Sequence, residues 1–145
     1  MRIVIDATPL LLRSAGVKTH VYQLIRSLRR LACDDTIGLF PLLQDPGECL
    51  HERSVLPLPQ TLWRLGLLHT ANCTGLDVLN WLGTRADVFH ASHQFWNPPK
   101  SARLTATIYD MTCWVVPEMH TPANVRGAKR FAQRVILRAD GLIAN

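Results

Sequence analysis

Three short groups of residues, each placed directly after an apolar run, carry the side-chain types from which binding or catalytic sites are built. Asp6, Thr8 and Gly16 follow Ile3-Val4-Ile5; His90, Ser92 and His93 follow Val88-Phe89; Tyr109, Asp110 and Thr112 follow Thr107-Ile108. A histidine at such a position suits hydrogen bonding or proton transfer. His90 and His93 also form an H-x-x-H pair that, with Asp110 or Cys113, has the donor types of a zinc site. The pair lacks the intervening Glu and the helix that such zinc ligands use, so no metal is expected. Asp110 ends an apolar run, where a bare carboxylate is costly. It either accepts from nearby backbone N–H groups or meets a ligand hydroxyl, and the second role is the one expected. Gly16 serves either a tight turn or the close approach of a ligand. No G-x-G-x-x-G occurs, which disfavours a dinucleotide-dependent dehydrogenase. Glu118 and His120, in Val116-Pro117-Glu118-Met119-His120, fall in a long connection that forms a lid, a substrate wall or a cap on the core.

These residues need elements to position them. Arg2 to Ala7 is too short for a helix and rich in β-branched residues, so it predicts a buried strand. After Gly16, the positions Val17, Val21, Leu24, Leu28 and Leu31 repeat at helical spacing. Strand, loop and helix in that order bring backbone N–H groups and a helix N-terminus to one rim of a parallel sheet, where an anion can be held. Thr36 to Leu43 predicts a second strand, in which Gly38 and Pro41 indicate a bulge or an edge. The segment from Gln44 to Pro59 is irregular, with a short third strand at Ser54 to Leu58. Gln60 to His69 predicts a short helix that is apolar almost all round, either covered on most sides or facing a lipid or partner. Gly75 to Gly83 predicts another, closed by Gly83. Ala86 to Ala91 and Arg103 to Tyr109 are the next strands, Thr121-Pro122 opens a helix reaching about Ala139, and Asp140 to Asn145 holds a last strand. The alternation predicts an α/β fold with a Rossmann-like, doubly wound, mainly parallel sheet, whose ligands bind at the C-terminal ends of the strands.

Composition narrows the function classes. With 145 residues, 48% hydrophobic and 19% charged, the chain is expected to form one globular domain. Its apolar runs fall far short of the ~18 residues of a membrane span, and Asp6 interrupts the first of them, so a cytoplasmic location is expected. Cys33, Cys49, Cys73 and Cys113 form no C-x-x-C pair and are expected to be reduced, buried thiols. A net charge of +5 favours an acidic partner: a phosphorylated ligand, an anionic membrane or nucleic acid. Aromatic residues are not interleaved with the basic ones, so no nucleic acid is expected. Arg126, Arg130, Arg134 and Arg138, joined by Lys129, recur along one winding stripe. That stripe is either a solvated helix face or a docking face for an anionic membrane.

Four segments occur in a telling order: Gly16-Val17-Lys18-Thr19-His20-Val21-Tyr22, Ala86-Asp87-Val88-Phe89-His90-Ala91, Thr107-Ile108-Tyr109-Asp110-Met111-Thr112, and Arg138-Ala139-Asp140-Gly141-Leu142-Ile143-Ala144. Together they resemble the N-terminal half of a group 1, family 4 glycosyltransferase of the GT-B fold. The resemblance implies two Rossmann-like domains with the site between them, and metal-independent, retaining transfer from a nucleotide sugar to a lipid- or polysaccharide-linked acceptor hydroxyl, without a cofactor. Residues 1–145 then form the acceptor-side domain. The nucleotide-gripping C-terminal domain, with its Glu-x7-Glu pair, lies outside them, so the fragment alone is expected to be inactive. Gly16, Val17 and Thr19 would approach the donor diphosphate; His93, Tyr109, Glu118 and His120 would line the substrate; Asp110 and His90 would orient the acceptor hydroxyl. The chain has Tyr109-Asp110 where the family commonly has His-Asp, so Asp110 carries over and a histidine role at 109 does not. The same features suit two other readings: a GT-B-like sugar-nucleotide epimerase, and a non-catalytic module binding anionic ligands or the inner face of the plasma membrane.

Overall fold

In the computed structural model, which describes residues 1–13, 16–31, 34–44, 55–92 and 95–145, five apolar runs pair into one sheet. They are β1 (Arg2–Asp6), β2 (Thr36–Phe40), β3 (Val88–Ala91), β4 (Arg103–Ile108) and β5 (Gly141–Ala144), all parallel, in the order β2-β1-β3-β4-β5. The chain moves from β1 outward to β2, then returns across β1 to β3. The strand order therefore reverses between β1 and β3, which is the topological switch point of a doubly wound, Rossmann-like sheet.

Alternation along β1 divides the core in two. Ile5 faces α1 (Gly16–Leu31), whose Val21 and Ile25 are buried with Leu10, Leu11 and Leu39. Val4 faces the other way, into a cluster of Phe89, Leu104 and Ala106 covered by α2 (Leu58–Thr74), α3 (Val78–Trp81) and α5 (Pro122–Arg134). The remaining helical pieces are α4 (Thr112–Val115) and 3-10 turns at Thr8–Leu11, Pro117–Met119 and Ile136–Arg138. Thr121 caps α5 by accepting from the Asn124 N–H, with Pro122 at the first helical position.

Several expectations change. In the described part of Ser54 to Leu58 there is no strand: Val55 and Leu56 form a bend and Leu58 opens α2. Pro57 and Pro59 lack the N–H groups a ladder needs and fit a helix start instead. That helix is longer than Gln60 to His69 and is covered on one side only, leaving Leu62 57% and Trp63 48% exposed. Gly75, in the left-handed conformation (φ 69°), ends α2 rather than opening the next helix, and α3 is a single turn capped by Asp77. Gly83 is left-handed just after α3, as expected. β2 stops at Phe40, since Pro41 has no N–H to donate, and it is an edge strand. Leu31 shares the apolar spacing of α1 yet is exposed at its end, and α5 gives way to the 3-10 turn after Arg134, short of Ala139. Cys73 is exposed and Cys113 half-buried, both free thiols; Cys33 and Cys49 lie outside the described residues. Among the described residues no helix is long and apolar enough to cross a membrane.

Candidate functional site

At the switch point the strand ends are tied to each other. Asp6 is completely buried. Its Oδ1 accepts from the Thr8 N–H (3.1 Å) and the Thr8 hydroxyl, and its Oδ2 accepts from the Ser92 hydroxyl (2.9 Å) and, at longer range, the Ser92 N–H (3.4 Å). Four donors make burial of this carboxylate tolerable, and they fasten the end of β1 to the end of β3.

His90 belongs to the same closed region. Parallel pairing sets it beside Thr105, and its Nδ1 lies 2.9 Å from the Thr105 hydroxyl while Nε2 lies 3.0 Å from that of Thr107. A neutral imidazole has one donor and one acceptor nitrogen, so one threonine accepts and the other donates. Burial lowers the His90 pKa to about 4; the Asp6 charge opposes the shift and His20 adds to it. His90 is thus neutral near pH 7, with both nitrogens committed. It stands behind Thr107, and Thr107 lines the adjoining cleft.

That cleft, of about 430 Å³, opens at the C-terminal end of β4. Val17, from the first turn of α1, and Ala123 and Asn124, from the first turn of α5, line it together with Tyr109, Asp110 and His120. Two helix N-termini therefore meet one concave surface that also holds a carboxylate. Asp110 is exposed. Its Oδ1 accepts from the Thr112 N–H and its Oδ2 from the Thr112 hydroxyl, each at 2.7 Å, and these bonds, with a smaller contribution from His120, hold its pKa below the usual carboxylate range. It thus fastens the start of α4, and each oxygen keeps acceptor capacity for a ligand.

Among the described residues, two buried polar atoms at this rim have no hydrogen-bond partner: Tyr109 Oη and His20 Nε2. Their rings meet edge to face, centroids 5.1 Å apart. Burial, and next the Asp6 charge, push the Tyr109 pKa well above its ordinary value; the Thr107 hydroxyl opposes this but makes no hydrogen bond of acceptable geometry to Oη. The phenol stays protonated.

Of the residues singled out from sequence, Val17, Tyr109, Asp110 and His120 come together at the cleft. Gly16 opens α1; its backbone is not left-handed, and among the described residues a Cβ there would meet nothing within 4 Å, so none of them demands a glycine. Thr19 is half-buried on α1 and Glu118 is exposed in the Pro117–Met119 turn, and neither lines the cleft. His93 lies outside the described residues. Sequence reasoning missed His20, Trp96 and Asn124. His20 was findable, because it falls three residues after Val17, one turn along the same helix face. No protein-family model, no curated protein and no solved structure matches this chain, so what the cleft does is read from its own residues.

Proposed function

We propose that the chain is the acceptor-side domain of a retaining GT-B glycosyltransferase, which moves a sugar from a nucleotide-sugar donor to an acceptor hydroxyl. The observation that carries this reading is the meeting of the α1 and α5 N-terminal turns with Asp110, Tyr109 and His120 around one cleft at the sheet rim. Helix N-termini stabilise the negative charge that develops on a departing diphosphate. Asp110, ionised at neutral pH, accepts a hydrogen bond from the acceptor hydroxyl and orients it for attack. Tyr109 lines the cleft and packs its ring on His20, which sets the wall beside Asp110. His90 acts at one remove, holding Thr107 at the cleft wall. No metal step is required in this scheme. The sequence resemblance assigns the nucleotide to a second domain, on the far side of the donor.

Backbone NMR on this chain tests the reading. Titration with capped mono- and disaccharides should shift the amides of Tyr109, Asp110 and Asn124, while nucleotide sugars bind only at millimolar strength or not at all. Micromolar affinity for a nucleotide sugar, or turnover by this chain alone, contradicts the two-domain scheme. Saccharide shifts that avoid the β4 rim contradict the acceptor-side role.

A further inference from the structure

Trp96 lines a second cleft as well, a groove of about 570 Å³ between α2 and α5. Arg130 and Arg134, one helical turn apart on α5, line this groove, with His69 and Leu68 contributed by α2. The Arg130 guanidinium lies 5.6 Å from the centre of the Trp96 ring, within cation–π range. The backbone N–H of Trp96 donates to Asn72 Oδ1 at 2.8 Å, so the backbone that carries this ring is fastened to α2.

The charge balance around the groove is one-sided. α2 and α5 contain Arg64, Arg126, Lys129, Arg130 and Arg134 and no Asp or Glu. Setting those five aside, 16 − 5 leaves eleven Lys and Arg against eleven Asp and Glu, so these two helices account for the whole net charge of +5. Among the described residues neither Arg130 nor Arg134 makes an ion pair. Arg134, in the last turn, is partly accounted for by the helix dipole. Arg130, a turn further in and laid over an indole, is not. Two guanidiniums at (i, i+4) repel each other, and an anion fitting between them removes that repulsion and gains charge-assisted hydrogen bonds.

We propose that the groove between α2 and α5 binds a small phosphorylated molecule. Arg130 and Arg134 bridge its phosphate or diphosphate, and its organic part lies against Trp96 and Leu68. Two cations lining one groove match a dianion better than a single carboxylate, and the groove's volume falls in the range of small-molecule sites. This site is independent of the proposed role of the β4 rim.

The test is a titration of the full chain with inorganic pyrophosphate in about 0.15 M NaCl, following the Trp96 indole and the arginine Nε–H signals by NMR. Trp96, Arg130 and Arg134 should shift saturably, with a Kd below about 1 mM. The double variant Arg130→Gln/Arg134→Gln should weaken binding by about tenfold or more. Arg126→Gln/Lys129→Gln, which removes the same charge from the same helix outside the groove, should change it by less than about twofold. All four side chains are exposed, and thermal melts of both variants confirm that they fold. Equal weakening by the two variants, shifts that never saturate, or groove signals that respond to phosphatidylglycerol vesicles but not to pyrophosphate would each overturn the proposal.

Discussion

The β1/β3 switch point and the β4 rim are neighbouring ends of one parallel sheet, and they treat polar groups in opposite ways. At the switch point a buried carboxylate is met by Thr8 and Ser92, and a buried imidazole by Thr105 and Thr107. At the β4 rim a carboxylate is exposed, and two buried polar atoms lack partners. Doubly wound sheets usually offer their ligand crevice where the strand order reverses. Here the side chains at that point are spent on one another, and the unspent hydrogen-bonding capacity lies one strand further on. Being at a strand end does not by itself make a residue available to a ligand; the partners it already has decide that.

The comparison breaks most severely at Asp6. Asp6→Ala strands the Thr8 and Ser92 donors in the interior, and a loss of about 3 kcal/mol or more is expected, seen as a melting temperature lowered on the order of 10 °C. An unchanged melting temperature would mean the switch point is not a closed network.

His90 sharpens it through pH. Its folded pKa, about 4, lies below its ordinary 6.5, so between those values the unfolded chain binds a proton that the folded chain does not. Stability from the neutral ring is fully present above about pH 6.5 and falls as the pH drops toward 4, by roughly 3 kcal/mol in all. Denaturant melts across that window should show the slope in wild type and a flatter profile in His90→Gln. Asp110, whose pKa is lowered, adds acid sensitivity only below its ordinary value of 3.8, outside most of that window. If His90→Gln keeps the full slope, the ring is not the titrating group.

Tyr109 gives the smallest effect on folding. Its hydroxyl has no partner, so Tyr109→Phe should leave stability within about 0.5 kcal/mol or raise it slightly. A clear destabilisation in chemical denaturation would reveal a partner for Oη and remove the contrast with the closed switch point.

Much of the scaffold was legible. The apolar runs located β1, β3, β4 and β5 to within a residue or two, because parallel strands are short and nearly continuous in apolar residues, even at β5, which is an edge strand and largely exposed. The Val55-Leu56 pair misled, since local β-propensity there is overridden by two prolines that suit a helix start. For the Gln60 to His69 helix the sequence left a covered and an outward-facing reading open, and only the tertiary packing of α2 decides that Leu62 and Trp63 are exposed. The site was half legible. Strand-end position picked out His90 and Asp110 alike, and what separates them is the β3/β4 register, which brings Thr105 and Thr107 to the imidazole and has no signature in a single sequence.

Asp110 tests the central claim most directly, because its carboxylate is exposed and its hydrogen bonds to Thr112 stay within its own turn. The measurement pairs the melting temperature of this chain carrying Asp110→Asn with acceptor and donor kinetics of the proposed two-domain enzyme carrying the same change. The expected result is a melting temperature close to wild type, a nearly unchanged donor KM, and kcat/KM for the acceptor reduced by roughly 10²-fold. Acceptor kinetics near wild type in a folded Asp110→Asn enzyme would contradict the claim that the β4 rim positions the acceptor hydroxyl.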